Sequence, residues 1–198
     1  MTSKRELKKN ALRAALIDAA RLRIQGFGLR KLRARDIAND ANCALGSVYT
    51  AFEDINELVL HVNSITLSAL GEALDTSSEE ALTPGAKLEA LARRYFRFAQ
   101  QNKNLWQALF EHKMADGAPF PEWHLKEHSV LFQNITTPLL ALCPDATDED
   151  IDLQTKIIFS AVHGIISICL QERIIEAPIK QLERQLQQFV RTYVQGLK

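Results

Sequence analysis

Cysteine is scarce in this chain, and its scatter is informative. Cys43, Cys143 and Cys169 are odd in number and show neither CxxC nor CxxH spacing, which argues against a disulfide framework and gives no structural zinc site. A reducing cytoplasm is the expected setting. Uncharged apolar runs of the roughly 18 residues that a membrane span needs are missing as well. Lys4, Arg5, Lys8 and Lys9 are not followed by an apolar stretch, so neither a signal peptide nor a membrane anchor is expected. Also lacking are sustained period-two alternation, a glycine-rich phosphate loop, a nucleophile elbow and a convincing carboxylate pair. One enzyme-like spacing does occur. His124-Leu-Lys-Glu127-His128 sets two histidines one helical turn apart, as some zinc hydrolases do. The third ligand would have to lie well downstream, and so short a chain offers no obvious place for it. No metal, no cofactor and no enzymatic activity are therefore expected.

What is present is an uneven distribution of charge. The formal net charge is zero, yet residues 1–52 hold eleven Lys/Arg against Glu6, Asp18, Asp36 and Asp40, and the remainder holds thirteen against twenty. A basic head on an acidic body is the asymmetry expected when one end of a protein meets a polyanion.

Apolar residues recur at three- and four-residue spacing throughout, so the chain reads as all-α. Ser3-x-x-Glu6 opens a first helix whose apolar positions run from Leu7 to Leu22, with Gly26 expected to stop it and Phe27 to fold back over its end. Short helices are predicted over 35–42 and 46–52. Asp54-x-x-Glu57 opens a long helix carrying Leu58, Val59, Val62, Ile65, Ala69, Leu70 and Ala73. Thr83-Pro84 starts the next, which is interrupted at 102–104 before a short aromatic-rich helix over 105–114. A helix over 123–142 contains Pro138, where a kink is expected. Thr147-x-x-Asp150 caps a very apolar helix, and Pro178 opens a final one. The 198 residues suit a small domain over 1–54, an N-terminal three-helix unit, joined to a larger helical domain over 55–198.

The segment 35–52 carries the chemistry. Ile37, Ala38 and Ala41 face inward on one short helix, and Val48 and Phe52 do so on the next. Asn42 stands where the backbone must turn, and asparagine is among the few residues that tolerate a left-handed conformation. A helix, a tight turn and a second helix form a helix-turn-helix, which sets its second helix in the DNA major groove.

Ile37-Ala38, Ala41-Asn42, Ala44, Gly46-Ser47 and Tyr49-x-x-Phe52, with the Gly26-x-Gly28 exit from the first helix, resemble the TetR family (tetracycline-repressor type) of bacterial regulators. The match is close over about residues 10–65 and mainly architectural beyond. Two departures stand out. Arg33 replaces the usual Ser/Thr cap before Arg35-Asp36-Ile37-Ala38, and Glu53-Asp54-Ile55 lacks the usual lysine. Operator affinity would then lean on Arg33, Arg35 and the arm carrying Lys4 and Lys8. The resemblance implies that Ser47 and Thr50 sit on the recognition helix and that Tyr49 donates to a phosphate, its alternative being helix packing. Ala44 and Leu45 could meet thymine methyl groups.

The resemblance further implies a C-terminal effector cavity and a homodimer paired through the last two helices, which carry more apolar surface than one partner covers. Phe96, Trp106, Phe110, Met114, Trp123, Phe159 and His163 are the candidate effector contacts, suited to an apolar or aromatic ligand, with Leu109 and Leu131 nearby in type. His163 is either a ligand contact or a core histidine. Ile158, Ile165, Leu182, Leu186, Phe189 and Tyr193 are the candidate dimer contacts. The expected partners are double-stranded DNA with a palindromic operator, a small-molecule effector and a second copy, with no membrane. The function read is a ligand-responsive regulator, a repressor released by its effector. The alternative is a module of the same fold that has lost operator binding. The basic head predicts that DNA affinity falls steeply with salt, the log-log slope steepening by about 0.9 for each phosphate neutralised. A flat salt titration by fluorescence anisotropy contradicts this.

Overall fold

The computed structural model describes residues 3–76, 81–114, 117–171 and 178–197, and among these it contains helices and no strand. The helices are α1 (Lys4–Phe27), α2 (Ala34–Asp40), α3 (Leu45–Ala51), α4 (Ile55–Leu74), α5 (Pro84–Gln101), α6 (Lys103–Glu111), α7 (Glu122–Leu142), α8 (Asp148–Leu170) and α9 (Ile179–Gln195), with a 3-10 turn at Leu29–Lys31. By packing, the chain forms two compact units. One takes Met1–Ser68 with Asn102–Leu125, and the other Ala69–Gln101 with Lys126–Lys198. The first unit therefore gathers more than the helix-turn-helix segment, since α6 and most of α4 pack with it.

Local chemistry sets the helix ends. Ser3 and Glu6 close a capping box: the Glu6 amide donates to Ser3 Oγ at 3.2 Å and the Ser3 amide to Glu6 Oε2 at 2.9 Å. Thr147 and Asp150 do the same for α8. Asp54 Oδ1 accepts from the Glu57 amide at 2.8 Å at the head of α4, and Thr83 Oγ1 accepts from the Ala86 amide before α5. The end of α1 differs from expectation. Gly26 stays helical, and it is Gly28, at φ +79°, that turns the chain, its amide donating to the Ile24 carbonyl at 2.8 Å. That backbone needs glycine. Phe27 consequently faces solvent, with the Arg23 guanidinium over its ring, instead of folding back. Pro138 lies buried inside α7.

The core of the first unit joins Leu16, Ala19, Ala20 and Ile24 of α1 to Ile37 and Ala38 of α2, Val48 and Ala51 of α3 with Phe52 at its end, Leu58 and Val62 of α4, and Leu105 and Ala108 of α6. Beside it runs a polar seam between α4 and α6. Asn63 Nδ2 donates to the Ala108 carbonyl at 3.4 Å, and His112 Nε2 meets Asn56 Oδ1 at 3.3 Å. The Asn56 amide group in turn donates to Asp54 Oδ2 at 2.8 Å. Since Asn56 Oδ1 can only accept, the proton sits on His112 Nε2. Nδ1 is buried without a hydrogen-bond partner among the described residues.

In the second unit α5 packs on α9. Leu182, Leu186, Val190 and Val194 recur every four residues on α9 and are buried, as are Leu88, Leu91, Ala92, Tyr95 and Phe96 of α5. Each such leucine contributes about 1.5–3 kcal/mol through burial. The approach is close: a Cβ on Gly85 would stand 3.2 Å from Val194 Cγ1. Arg191 with Glu89 and Arg97 with Glu183 flank the seam.

Burial, together with the nearby His124, holds His112 below the ordinary imidazole range against the pull of Asp54. A base whose folded pKa is depressed contributes stability that is complete above its unfolded pKa and lost as pH falls through the folded value. Urea midpoints at about pH 7.5 and about pH 5.5 should therefore differ more for the wild type than for H112Q. His163, lowered by burial as well, keeps the H112Q profile from becoming flat. Parallel profiles for the two proteins would refute the assignment.

Candidate nucleic-acid interface

The helix-turn-helix forms over 34–51. Asn42 has φ +51° and is the only non-glycine residue with positive φ among those described. The Cys43 amide donates to the Ala38 carbonyl across the turn at 3.0 Å. Burying Val48 and Ala51 leaves Ala44, Leu45, Tyr49 and Thr50 on the opposite, exposed face of α3, with Ser47 half-buried. Tyr49 is 55% exposed and lies outside the core. The Thr50 hydroxyl donates to the Gly46 carbonyl at 3.0 Å, which leaves its methyl group and oxygen lone pairs for other contacts. Arg33 occupies the N-cap position of α2 in extended backbone, with no side-chain cap bond.

The charge of the head is sharply sorted. Arg23 grips Asp40 through two hydrogen bonds of 2.6 and 2.8 Å and stands 3.6 Å from Asp36. This contact holds the Asp40 carboxyl below its usual range. Arg21 pairs with Asp18, Arg30 with Glu111 and Arg13 with Glu57. Lys4, Arg5, Lys8, Lys9, Lys31, Arg33 and Arg35 remain, all exposed and none in an ion pair among the described residues. Their number equals the excess positive charge of residues 1–52.

The acids that follow Phe52 are mostly occupied. Burial works against the charged forms of Asp54 and Glu57, but hydrogen bonds outweigh it, and both carboxyls sit below their usual range. Asp54 accepts from Glu57 and Asn56, and Glu57 accepts from the Glu53 amide and Arg13. Glu53 keeps an exposed side chain. Sequence reasoning missed Arg13, which in a basic helix looks like one more solvated charge. Its guanidinium hydrogen-bonds the Ala51 carbonyl, Glu57 Oε1 at 3.0 Å and His61 Nε2 at 3.0 Å, and lies 4.1 Å from the Phe52 ring centroid.

The candidate effector contacts divide between the units. Phe96, Phe159 and His163 belong to the second. There Phe159 stacks on His163 at 5.6 Å and meets Phe132 edge-on at 5.0 Å, while the Tyr95 hydroxyl and His163 Nδ1 are 2.9 Å apart. Phe96 is fully buried in that unit. Trp106, Phe110, Met114 and Trp123 belong to the first. Trp106 is buried with Phe110 edge-on to it at 5.6 Å, and Trp123 stacks on His61 at 5.6 Å. Leu109 is buried and Leu131 half-buried. His124 is buried between the rings of Phe120 and Trp123, and no cluster of potential metal ligands occurs among the described residues.

The candidate dimer contacts also divide. Ile158, Leu182 and Leu186 are buried inside their own protomer, so they pack its core rather than offering a surface. Ile165 is half-buried, Tyr193 is half-buried and bonded to Gln154, and Phe189 is exposed. The apolar side chains that α8 leaves outward are Leu153, Ile157 and Ile168. By length and composition alone, α8 is apolar enough to cross a membrane.

Residues 88–193 match the family model described as the tetracyclin repressor-like C-terminal domain. No curated protein matches the chain. Among solved structures, a protein of unknown function from Rhodococcus sp. RHA1 is similar at TM-score 0.72 and 20% identity, covering 92% of this chain and 94% of that one. RolR in complex with resorcinol is similar at TM-score 0.67 and 21% identity, with 96% and 94% covered. The fatty acid degradation regulator FadR from Bacillus halodurans is similar at TM-score 0.66 and 18% identity, with 90% and 94% covered. The family model takes in more than half of the residues and continues the helix-turn-helix seen at 34–51, so the chain belongs to the TetR family of transcription regulators.

Proposed function

We propose that this chain is a cytoplasmic, ligand-responsive repressor that binds a palindromic operator as a homodimer and is released from it by a small apolar or aromatic effector. Residues 1–54 read the DNA, and residues 55–198 bind the effector and the second copy. The observation that carries the reading is the sorting of charge in the head. Every acid there other than Glu6, which serves as a cap partner, is neutralised by an arginine, and the cations left over are exposed. Such a surface binds phosphates, and the exposed side chains of α3 then specify sequence. Lys4, Lys8, Arg33 and Arg35 hold the backbone, Tyr49 donates to a phosphate, and Ala44, Leu45, Ser47 and Thr50 meet the bases.

The second copy covers the outward side of α8 and α9. Leu153, Ile157 and Ile168 are 54%, 43% and 44% exposed, and they join Ile165, Phe189 and Tyr193 in an apolar surface that is costly to leave wet. A two-fold pair would set two recognition helices in successive major grooves about 34–36 Å apart. In the second unit the rings of Phe159, His163, Tyr95 and Phe132 support an effector of apolar or aromatic character. RolR was solved with resorcinol, an aromatic ligand, and this suits the same reading. To change operator occupancy a hundredfold, the effector must discriminate between two states of the dimer by about 2.7 kcal/mol.

The reading of a same-fold module without operator binding rests on the absent lysine and on the acidic Glu53-Asp54. The internal bonds of Asp54 and Glu57 weaken it, because those acids are already engaged. Two measurements test the proposal together. Sedimentation at micromolar concentration should give a dimer for the wild type and a monomer for I157E/I168E. Anisotropy should show the wild type preferring one palindromic duplex over random DNA, and the monomeric variant losing that preference. A solitary wild-type chain, or one indifferent to sequence, overturns the proposal.

A further inference from the structure

The recognition helix is only seven residues long, and no side chain caps its N-terminus. At its other end the Phe52 amide closes on the Val48 carbonyl at 2.9 Å, and the Ala51 carbonyl accepts from Arg13, which lies 38 residues earlier on α1. A cation at a helix C-terminus is favourably placed against the helix dipole. The same guanidinium reaches α4 through Glu57 Oε1 and His61 Nε2, both at 3.0 Å, and lies over the Phe52 ring at 4.1 Å. Glu57 is itself tied to the start of α4, because its Oε2 accepts from the Glu53 amide at 2.6 Å. His61 receives the Arg13 bond on Nε2, and its ring is held between Phe52 at 5.7 Å and Trp123 at 5.6 Å. One planar fork thus joins α1, the last turn of α3 and the first two turns of α4. A lysine, with a single point charge, cannot reproduce that set.

We infer that Arg13 is a positioning residue for DNA reading: it touches no base or phosphate, and it sets the pose of α3 by holding the Ala51 carbonyl against α1 and α4. The inference rests on the DNA-reading assignment made above. It follows from the geometry because Tyr49 and Thr50 lie two residues and one residue before Ala51, on the turn that Arg13 anchors. It also distinguishes Arg13 from Lys4, Arg5, Lys8, Lys9, Lys31, Arg33 and Arg35. Those are exposed and in no ion pair among the described residues, whereas Arg13 is partly buried and its donors are spent on protein acceptors.

The test uses the full-length dimer. A preferred duplex is selected from a randomised library with the wild type, and affinities for that duplex and for a random duplex are then measured for wild type, R13K, R13M and E57Q. For R13M the selected duplex should be bound at least about tenfold more weakly, while the random duplex stays within about twofold and the salt slope is unchanged. R13K should recover part of the loss, since it keeps a charge near Ala51. E57Q, which takes the charge from one arm of the fork and leaves the contact with Ala51, should show a smaller loss of the same kind. It also keeps the inference testable if R13M fails to fold by circular dichroism. Equal weakening on both duplexes, with a salt slope shallower by about one, would identify Arg13 as a phosphate contact and overturn the inference. Unchanged discrimination in R13M, or in R13K and E57Q when R13M does not fold, overturns it as well. A wild type that selects no sequence is a different failure, in which the DNA-reading assignment falls and this inference falls with it.

Discussion

A helix of two turns does not hold itself together in water, because nucleation costs more than so few hydrogen bonds return. The recognition helix α3 faces that constraint without a capping side chain at its N-terminus. Its form must come from outside: from Val48, Ala51 and Phe52 in the core, from the left-handed turn at Asn42, and from the Arg13 fork at its far end. Each support enters from a different element. The reading face of α3 is consequently only as well defined as α1, α2 and α4 are with respect to one another. This explains why a head of modest size spends so much of its apolar surface on α1, the element that meets all the others.

Electrostatics in the head follows from the same economy. An arginine is the one side chain that can brace two elements through parallel donors, and the head uses Arg13 and Arg23 this way, the second across Asp36 and Asp40. Every acid braced internally is withdrawn from the repulsion it would exert on a phosphate. Asp54 and Glu57 are the clearest cases. By composition they look like obstacles to DNA where the family pattern has a lysine, yet one caps α4 and the other anchors Arg13. The departure from the pattern thus costs a cation without adding two free anions. Glu53 alone keeps an uncommitted carboxylate at that place.

How much of this was legible in the residues depended on how local the physics was. The capping boxes at Ser3 and Thr147, the Asp54 cap and the turn at Asn42 are decided within four residues, and they could be read from spacing. The end of α1 was less certain, because Gly26 and Gly28 are both plausible stops and only the bond from the Gly28 amide to the Ile24 carbonyl chooses between them. Long-range pairing was not legible. Periodicity showed that α9 has an apolar face, but not that α5 covers it, and so Leu182 and Leu186 read as dimer contacts when they are core. Arg13 was invisible for a similar reason: its acceptors lie 38 to 48 residues away.

The polar seam of α4 limits how α6 can move against it. A buried apolar contact is tolerant of sliding, whereas a hydrogen-bonded pair is not, because displacement strands both partners away from water. Asn63 on the Ala108 carbonyl and His112 on Asn56 lock α6 to α4 at two points seven residues apart along α4. Asn56 is bonded to Asp54, which caps α4, so the second lock sits at the root of the helix that follows the recognition element. Any shift of α6 must either carry α4 with it or break these bonds, and the second costs more because Asn63 and His112 are buried. The packing division at Ser68 falls inside α4, so this one helix contributes to both units. The seam ties α6 to the part of α4 that lies in the first unit.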